Sequence, residues 1–158
     1  MTNSDCILTI SRLIPASPAR VWQAWSQPEQ LANWWIPAPL TCKVVQLDLR
    51  PDGGFETLMR EGDGAFQPHV MGCFLEAIPE QRLTFTTCLG AGWQPLEPWL
   101  ALTAILEFSP EGTGTRYAAR VLHKTAADAA KHAELGFEAG WGMVLDQLAA
   151  HVQSVQTA

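Results

Sequence analysis

Residues 125–154, TAADAAKHAELGFEAGWGMVLDQLAAHVQS, decide the fold. At about 100° per residue, Ala130, Ala133, Phe137, Trp141, Val144, Leu145, Leu148 and Val152 fall on one stripe, so the spacing predicts a single long helix laid on a sheet. Glu134 sits inside that stripe and Glu138 on its edge. The first half of the helix is therefore polar-faced and the second half dry. A helix patterned in this way seals a core at one end and roofs a cavity at the other. Asp128 and His132 point away from the stripe and read as surface.

A helix with one apolar face needs a partner layer, and the preceding chain supplies it. CILTISRLI (residues 6–14) reads as a first strand ended by Pro15. Two short helices follow, SPARVWQAW with Ser17 as cap and Pro18 in the first turn, then PEQLANWW after Gln27. From residue 40 to 123 the texture changes to strands broken by turns: LTCKVVQLDLR, FETLMRE, HVMGCFLEAI, RLTFTTCL, WLALTAILEF and TRYAARVLH. Asp52 and Gly53 mark the first tight hairpin. Leu100, Leu102, Ala104, Leu106 and Phe108 share one side of the sixth strand, and Tyr117, Ala119, Val121 and His123 share one side of the seventh. The expected fold class is α+β: a curved antiparallel sheet of about seven strands gripping a long C-terminal helix, in one domain over residues 1–158. The loop GAGWQPLEP (residues 90–98) is long and irregular and reads as a cavity rim.

Composition excludes several functions. Ten Lys and Arg against 16 Asp and Glu give a net charge of −6, which opposes a phosphate-binding surface, so no nucleic-acid partner is expected. No stretch approaches the roughly 20 apolar residues of a membrane span, and MTNSDC lacks the basic start and apolar run of a secretory signal. The expected location is cytoplasmic. Cys6, Cys42, Cys73 and Cys88 form no CxxC, and the four histidines form no HxxxH or HExxH, so no metal site is expected. No cofactor is expected, since the chain has no GxSxG elbow, phosphate-cradling glycine loop or nucleotide fingerprint. The seven tryptophans suit a heavy core or an aromatic cavity wall.

In their order and spacing, PASPARVWQAW, PEQLANWW, DLRPDGGFE, HVMGCFLEAIPEQRLTFT, GTGTRYAARVLH and GFEAGWGMVLDQLAAHV resemble the activator of heat-shock-protein-ninety ATPase homologue family, within the START-like (SRPBCC) superfamily. The resemblance runs from about Leu8 to Val152. It implies the helix-grip fold with a cavity between sheet and helix. Relatives in the superfamily bind lipids, sterols, polyketides or plant hormones, and a minority catalyse cyclisation or hydrolysis. The activators that name the family carry an additional chaperone-binding domain that 158 residues are too few to hold, so a chaperone partner is disfavoured.

The leading expectation is binding of a small hydrophobic or amphipathic molecule, lipid, sterol or polyketide-like, between sheet and C-terminal helix. Trp93, Trp99 and Trp141 come from three elements and make an aromatic wall, with Met71, Phe85 and Phe137 adding apolar area. Trp34 and Trp35 end the second short helix, where one indole plugs the core and the other reaches the cavity edge. His69 shares a parity with Met71, opposite to Glu76, and points inward if that glutamate faces water. His69, His123, Glu134 and Glu138 are the candidates for polar orientation of a ligand. The same four groups would supply the acid and base of the alternative, a cyclase or hydrolase on an aromatic substrate. No catalytic residue is singled out. A second copy of the chain, as a homodimer, is also compatible with the sequence.

Overall fold

The computed structural model describes residues 3–156. Residues 1, 2, 157 and 158 of the expected domain, including the start of MTNSDC, lie outside the described residues. A 3-10 turn, Asn3–Cys6, takes the first residue assigned to the opening strand, and β1 (Ile7–Ile14) follows. Ser17 then caps α1 (Pro18–Ser26), its hydroxyl accepting from the Arg20 N–H at 3.3 Å, and α2 (Pro28–Leu31) begins on the second proline. The remaining strands are β2 (Thr41–Leu47), β3 (Gly54–Arg60), β4 (Gln67–Ile78), β5 (Arg82–Thr86), a small hairpin of β6 (Leu89–Gly90) and β7 (Gln94–Pro95), then β8 (Thr103–Glu111) and β9 (Gly114–Leu122). The helices α3 (Ala126–Glu134) and α4 (Phe137–Gln156) close the chain.

The fold is the helix-grip fold. Seven antiparallel strands form one sheet in the order β1-β9-β8-β5-β4-β3-β2, so the first strand joins the last and the rest form a meander. The concave face carries alternate residues: Ala104, Leu106 and Phe108 from β8, and Tyr117, Ala119 and Val121 from β9, all buried. The opposite face holds the half-exposed ion pairs of Arg82 with Glu76 and Glu107, which contribute little to stability. At the first hairpin, Asp52 rather than Gly53 takes the left-handed conformation, with φ of 74°.

An aromatic cluster fills one end of the concave face. Trp25 on α1 is fully buried, and its ring lies 5.4 Å from Trp34, 4.8 Å from Trp35 and 5.8 Å from Phe55. Phe55 in turn stacks on Phe74 at 5.0 Å and meets Phe85 edge-on at 5.1 Å. Buried indole N–H groups need acceptors. The Nε1 of Trp25 donates to Tyr117 Oη at 3.1 Å, and that of Trp34 to the Ala24 carbonyl at 3.1 Å.

The terminal helix is not continuous. Gly136 adopts φ of 98°, a conformation that L side chains rarely take, and it ends α3 as a left-handed cap. Restarting at Phe137 changes the helix phase. Ala129 and His132 are therefore the buried residues of α3, whereas Ala130, Ala133 and Glu134, placed on the stripe by a single unbroken helix, are exposed. Downstream the stripe holds: Phe137, Leu145, Leu148 and Val152 are buried against the sheet. Gln147 pins α4 to the segment after α2, its Oε1 accepting from the Ala38 N–H at 2.7 Å and its Nε2 donating to the Trp34 and Ile36 carbonyls at 3.0 Å each.

Replacing Tyr117 by Phe leaves the buried Trp25 N–H without its acceptor and is expected to cost about 1–3 kcal/mol. Trp25→Ala opens the cluster itself and is expected to cost about 3–5 kcal/mol. Urea unfolding monitored by circular dichroism measures both; a Tyr117→Phe protein as stable as the parent shows that the bond adds nothing.

Candidate functional site

The aromatic cluster and the dry half of α4 close one end of the grip, and the other end is hollow. Between α3, the start of α4 and the sheet lies a cavity of about 570 Å³. Phe85 on β5, Leu102 and Tyr117 on β9 form its floor, Trp35 and Pro37 one wall, and Phe137, Gly140, Trp141 and Val144 its roof. The segment Leu96 to Leu100 and Met71 of β4 form the rim. Apart from its chain neighbours and its own helix backbone, Gly140 has no atom within 4 Å of the place where a Cβ would stand, and it lines the cavity.

The mouth is apolar. Trp99, Leu135 and Met71 are 75%, 56% and 52% exposed, and all three line the cavity. Large side chains left in water around one opening are the kind of patch that marks a binding site. Lys131 on α3 sets its ammonium 5.8 Å from the Trp99 ring centroid.

Among the polar groups at this cavity are two histidines. A bulge at the start of β4, where Thr57 pairs with Val70 and Leu58 with Pro68, turns His69 into the grip. Its Nδ1 lies 3.0 Å from Thr57 Oγ1, and its ring meets Trp35 edge-on at 6.3 Å. A second bulge, between Phe74 and Glu76, puts the phenyl ring in the core and the carboxylate on the outer face although the two share a parity. Strict alternation across β4 thus fails twice, and the two shifts compensate, so that Glu76 faces outward and His69 inward, as their opposite parities predict. Burial lowers the His69 pKa to about 4. His132 of α3 lines the opposite side, its ring 5.1 Å from Phe137. Burial first, and the neighbouring His123 second, lower its pKa to about 4 as well.

His69, Met71, Phe85, Trp99, Phe137 and Trp141 come together around this space. Trp93, His123, Glu134 and Glu138 do not line it. Trp93 follows Gly92 in a 3-10 turn, has φ of 61° and stands half exposed beyond the rim. Glu134 and Glu138 flank the helix break and face outward. His123, just past β9, is buried but turned to His132, with Nε2 to Nδ1 at 2.8 Å. His132, a surface residue in the phase of one unbroken helix, is instead buried and lines the cavity. The signal that would have found it is Leu135-Gly136, a glycine at the position where helices end, which splits the stripe into two phases.

Two other features of the wall matter. Trp35, 7% exposed, has an enclosed Nε1 with no hydrogen-bond partner among the described residues. No group of three or more His, Cys, Asp or Glu that could hold a metal occurs among the described residues.

A helix grip with a hollow end is shared by many proteins, and sequence narrows the choice. Residues 15–153 match the family described as activator of Hsp90 ATPase homolog 1-like protein. The chain belongs to this family. Similar solved structures include a Nitrosomonas europaea protein, 34% identical, with a TM-score of 0.88 over 99% of this chain and 100% of that one. A Mycobacterium smegmatis protein, 23% identical, has a TM-score of 0.76 over 94% and 91% of the two chains. An Aeromonas hydrophila protein named as AHSA1-like, 21% identical, superposes with a TM-score of 0.73 over 96% and 95%. No curated protein sequence matches significantly. No helix of the described residues is long and apolar enough to cross a membrane.

Burial holds His69 neutral in a setting where the unfolded chain would protonate it near pH 6.5. The folded pKa is the lower one, so the unfolded state binds the extra proton and stability falls as pH drops from about 6.5 to about 4. Replacing His69 by Gln is expected to flatten the stability profile over that window by about 1.4 kcal/mol per pH unit. Urea midpoints at pH 7, 6 and 5 for both proteins check this; parallel profiles would show that His69 titrates equally in both states.

Proposed function

We propose that this member of the family binds a small hydrophobic or amphipathic molecule, of lipid, sterol or polyketide type, in the cavity between the sheet and α4. The observation that carries the reading is the hollow of about 570 Å³ with an apolar lining and an apolar mouth. Its size falls in the roughly 300 to 1,000 Å³ range of small-molecule pockets, which are mostly apolar with a few placed polar groups. Phe85, Phe137 and Trp141 supply contact area, Met71 and Trp99 receive the molecule at the rim, and His69 meets its polar end. The ring geometry favours aromatic or planar ligands, since Phe137 and Trp141 lie 5.3 Å apart with an interplanar angle of 34° and so form a continuous slanted roof.

Carriage or sensing accounts for the site better than turnover. Histidines whose pKa values are pushed down to about 4 are weak bases at neutral pH, which suits an uncharged hydrogen-bonding role more than proton abstraction.

Native mass spectrometry of gently isolated protein and a thermal-shift screen of fatty acids, sterols and aromatic polyketides test the reading. Binding is expected at one molecule per chain. Gly140→Phe projects a ring into the space below α4 and is expected to weaken binding by tenfold or more while the protein stays folded. Undiminished binding by Gly140→Phe would place the ligand elsewhere, and uniform failure of the screen would remove the proposal.

A further inference from the structure

The two cavity histidines differ in a way that the hydrogen bonds behind them fix. The Cys6 carbonyl can only accept. It receives the backbone N–H of His123 at 2.8 Å, and His123 Nδ1 stands 3.0 Å from the same oxygen, so that nitrogen carries a proton. In neutral His123 the remaining nitrogen, Nε2, is then an acceptor. His132 Nδ1 lies 2.8 Å from it and must be the donor. Neutral His132 is left with a bare lone pair on Nε2, which has no protein partner among the described residues, and the ring lines the cavity.

At His69 the order is reversed. The buried Thr57 hydroxyl oxygen accepts the Val70 N–H at 3.3 Å, and its proton has no acceptor among the described residues other than His69 Nδ1 at 3.0 Å, which makes Thr57 the donor of that pair. With Nδ1 accepting, neutral His69 carries its proton on Nε2.

We propose that the Cys6 carbonyl, His123 and His132 form a fixed relay that presents a hydrogen-bond acceptor at His132 Nε2, while Thr57 makes His69 Nε2 a donor. The ligand is accordingly an uncharged molecule with an apolar, planar body that carries a hydroxyl or N–H for His132 and a carbonyl-type oxygen for His69. The inference rests on the binding reading above and gives that site its polarity. His123 is a positioning residue in this arrangement, since it touches His132 and not the cavity. Low pKa values at both cavity histidines keep the rings neutral at pH 7, the state in which the two tautomers are defined.

Long-range ¹⁵N–¹H NMR at pH 7 on protein labelled at histidine reads the tautomers without any ligand. His132 is expected as the Nδ1–H form and His69 as the Nε2–H form; an Nε2–H form at His132 overturns the relay. Titrations with 2-naphthol and 2-methoxynaphthalene, in the parent and in His132→Phe, test recognition. The naphthol carries a donor and the ether does not. The ratio of their affinities is expected to fall about tenfold in the variant, as for loss of one buried hydrogen bond to a ligand, and the comparison between the two proteins cancels differences in probe solvation. An unchanged ratio overturns the inference and leaves the binding cavity standing. Absence of binding by either probe, and by naphthalene itself, overturns the relay's role in recognition together with the reading on which it rests. Where His132→Phe does not fold, the tautomers decide.

Discussion

Packing around Trp25 is the constraint on which the rest depends. An indole at zero exposure, ringed by Trp34, Trp35, Phe55 and Phe85, fixes α1 and the segment after α2 against the sheet at once. Its N–H satisfies itself on Tyr117, a side chain of the next-to-edge strand, so the cluster also spans the concave face. Gln147 then fastens α4 to the same segment through backbone groups of Trp34, Ile36 and Ala38. One end of the grip is thereby closed tightly. Aromatic rings pack to interior density, and their volume is spent there.

The opposite end stays open because nothing comparable fills it. Gly136 bends the chain between α3 and α4, and Gly140 contributes no side chain beneath the roof. The rings of Phe137 and Trp141 lie 5.3 Å apart and line the space without filling it. A filled end and a hollow end thus share one sheet. In the proposed binding role, affinity would come from the apolar walls and orientation from a few polar groups.

Those polar groups take their character from partners outside the pocket. His69 is set by Thr57 on the neighbouring strand, and His132 by a relay that ends on the carbonyl of Cys6. Each imidazole is the same side chain with the same ordinary pKa. What differs is whether the atom behind it donates or only accepts, and burial holds both in the neutral form in which that difference matters.

The order of strands and helices was legible in the chain because it is local chemistry: period-two patterns in β8 and β9, prolines in the first turns of α1 and α2, and an apolar stripe over Phe137 to Val152. Phe85, Phe137 and Trp141 were legible as an apolar wall for the same reason. Bulges in β4 are set by pairing with β3 and β5, so a count of residues along that strand alone gives the opposite directions of His69 and Glu76 only because the two shifts compensate. The phase of α3 turned on one glycine, whose φ of 98° moved His132 inward and left Glu134 outside. Sequence by itself determined the family, the elements and the presence of a one-sided helix over a curved sheet. Only tertiary structure decided which side chains line the hollow at the leading end, and that His123 stands behind His132, because residues nine apart in the chain meet there only after the sheet and the helices have closed on each other.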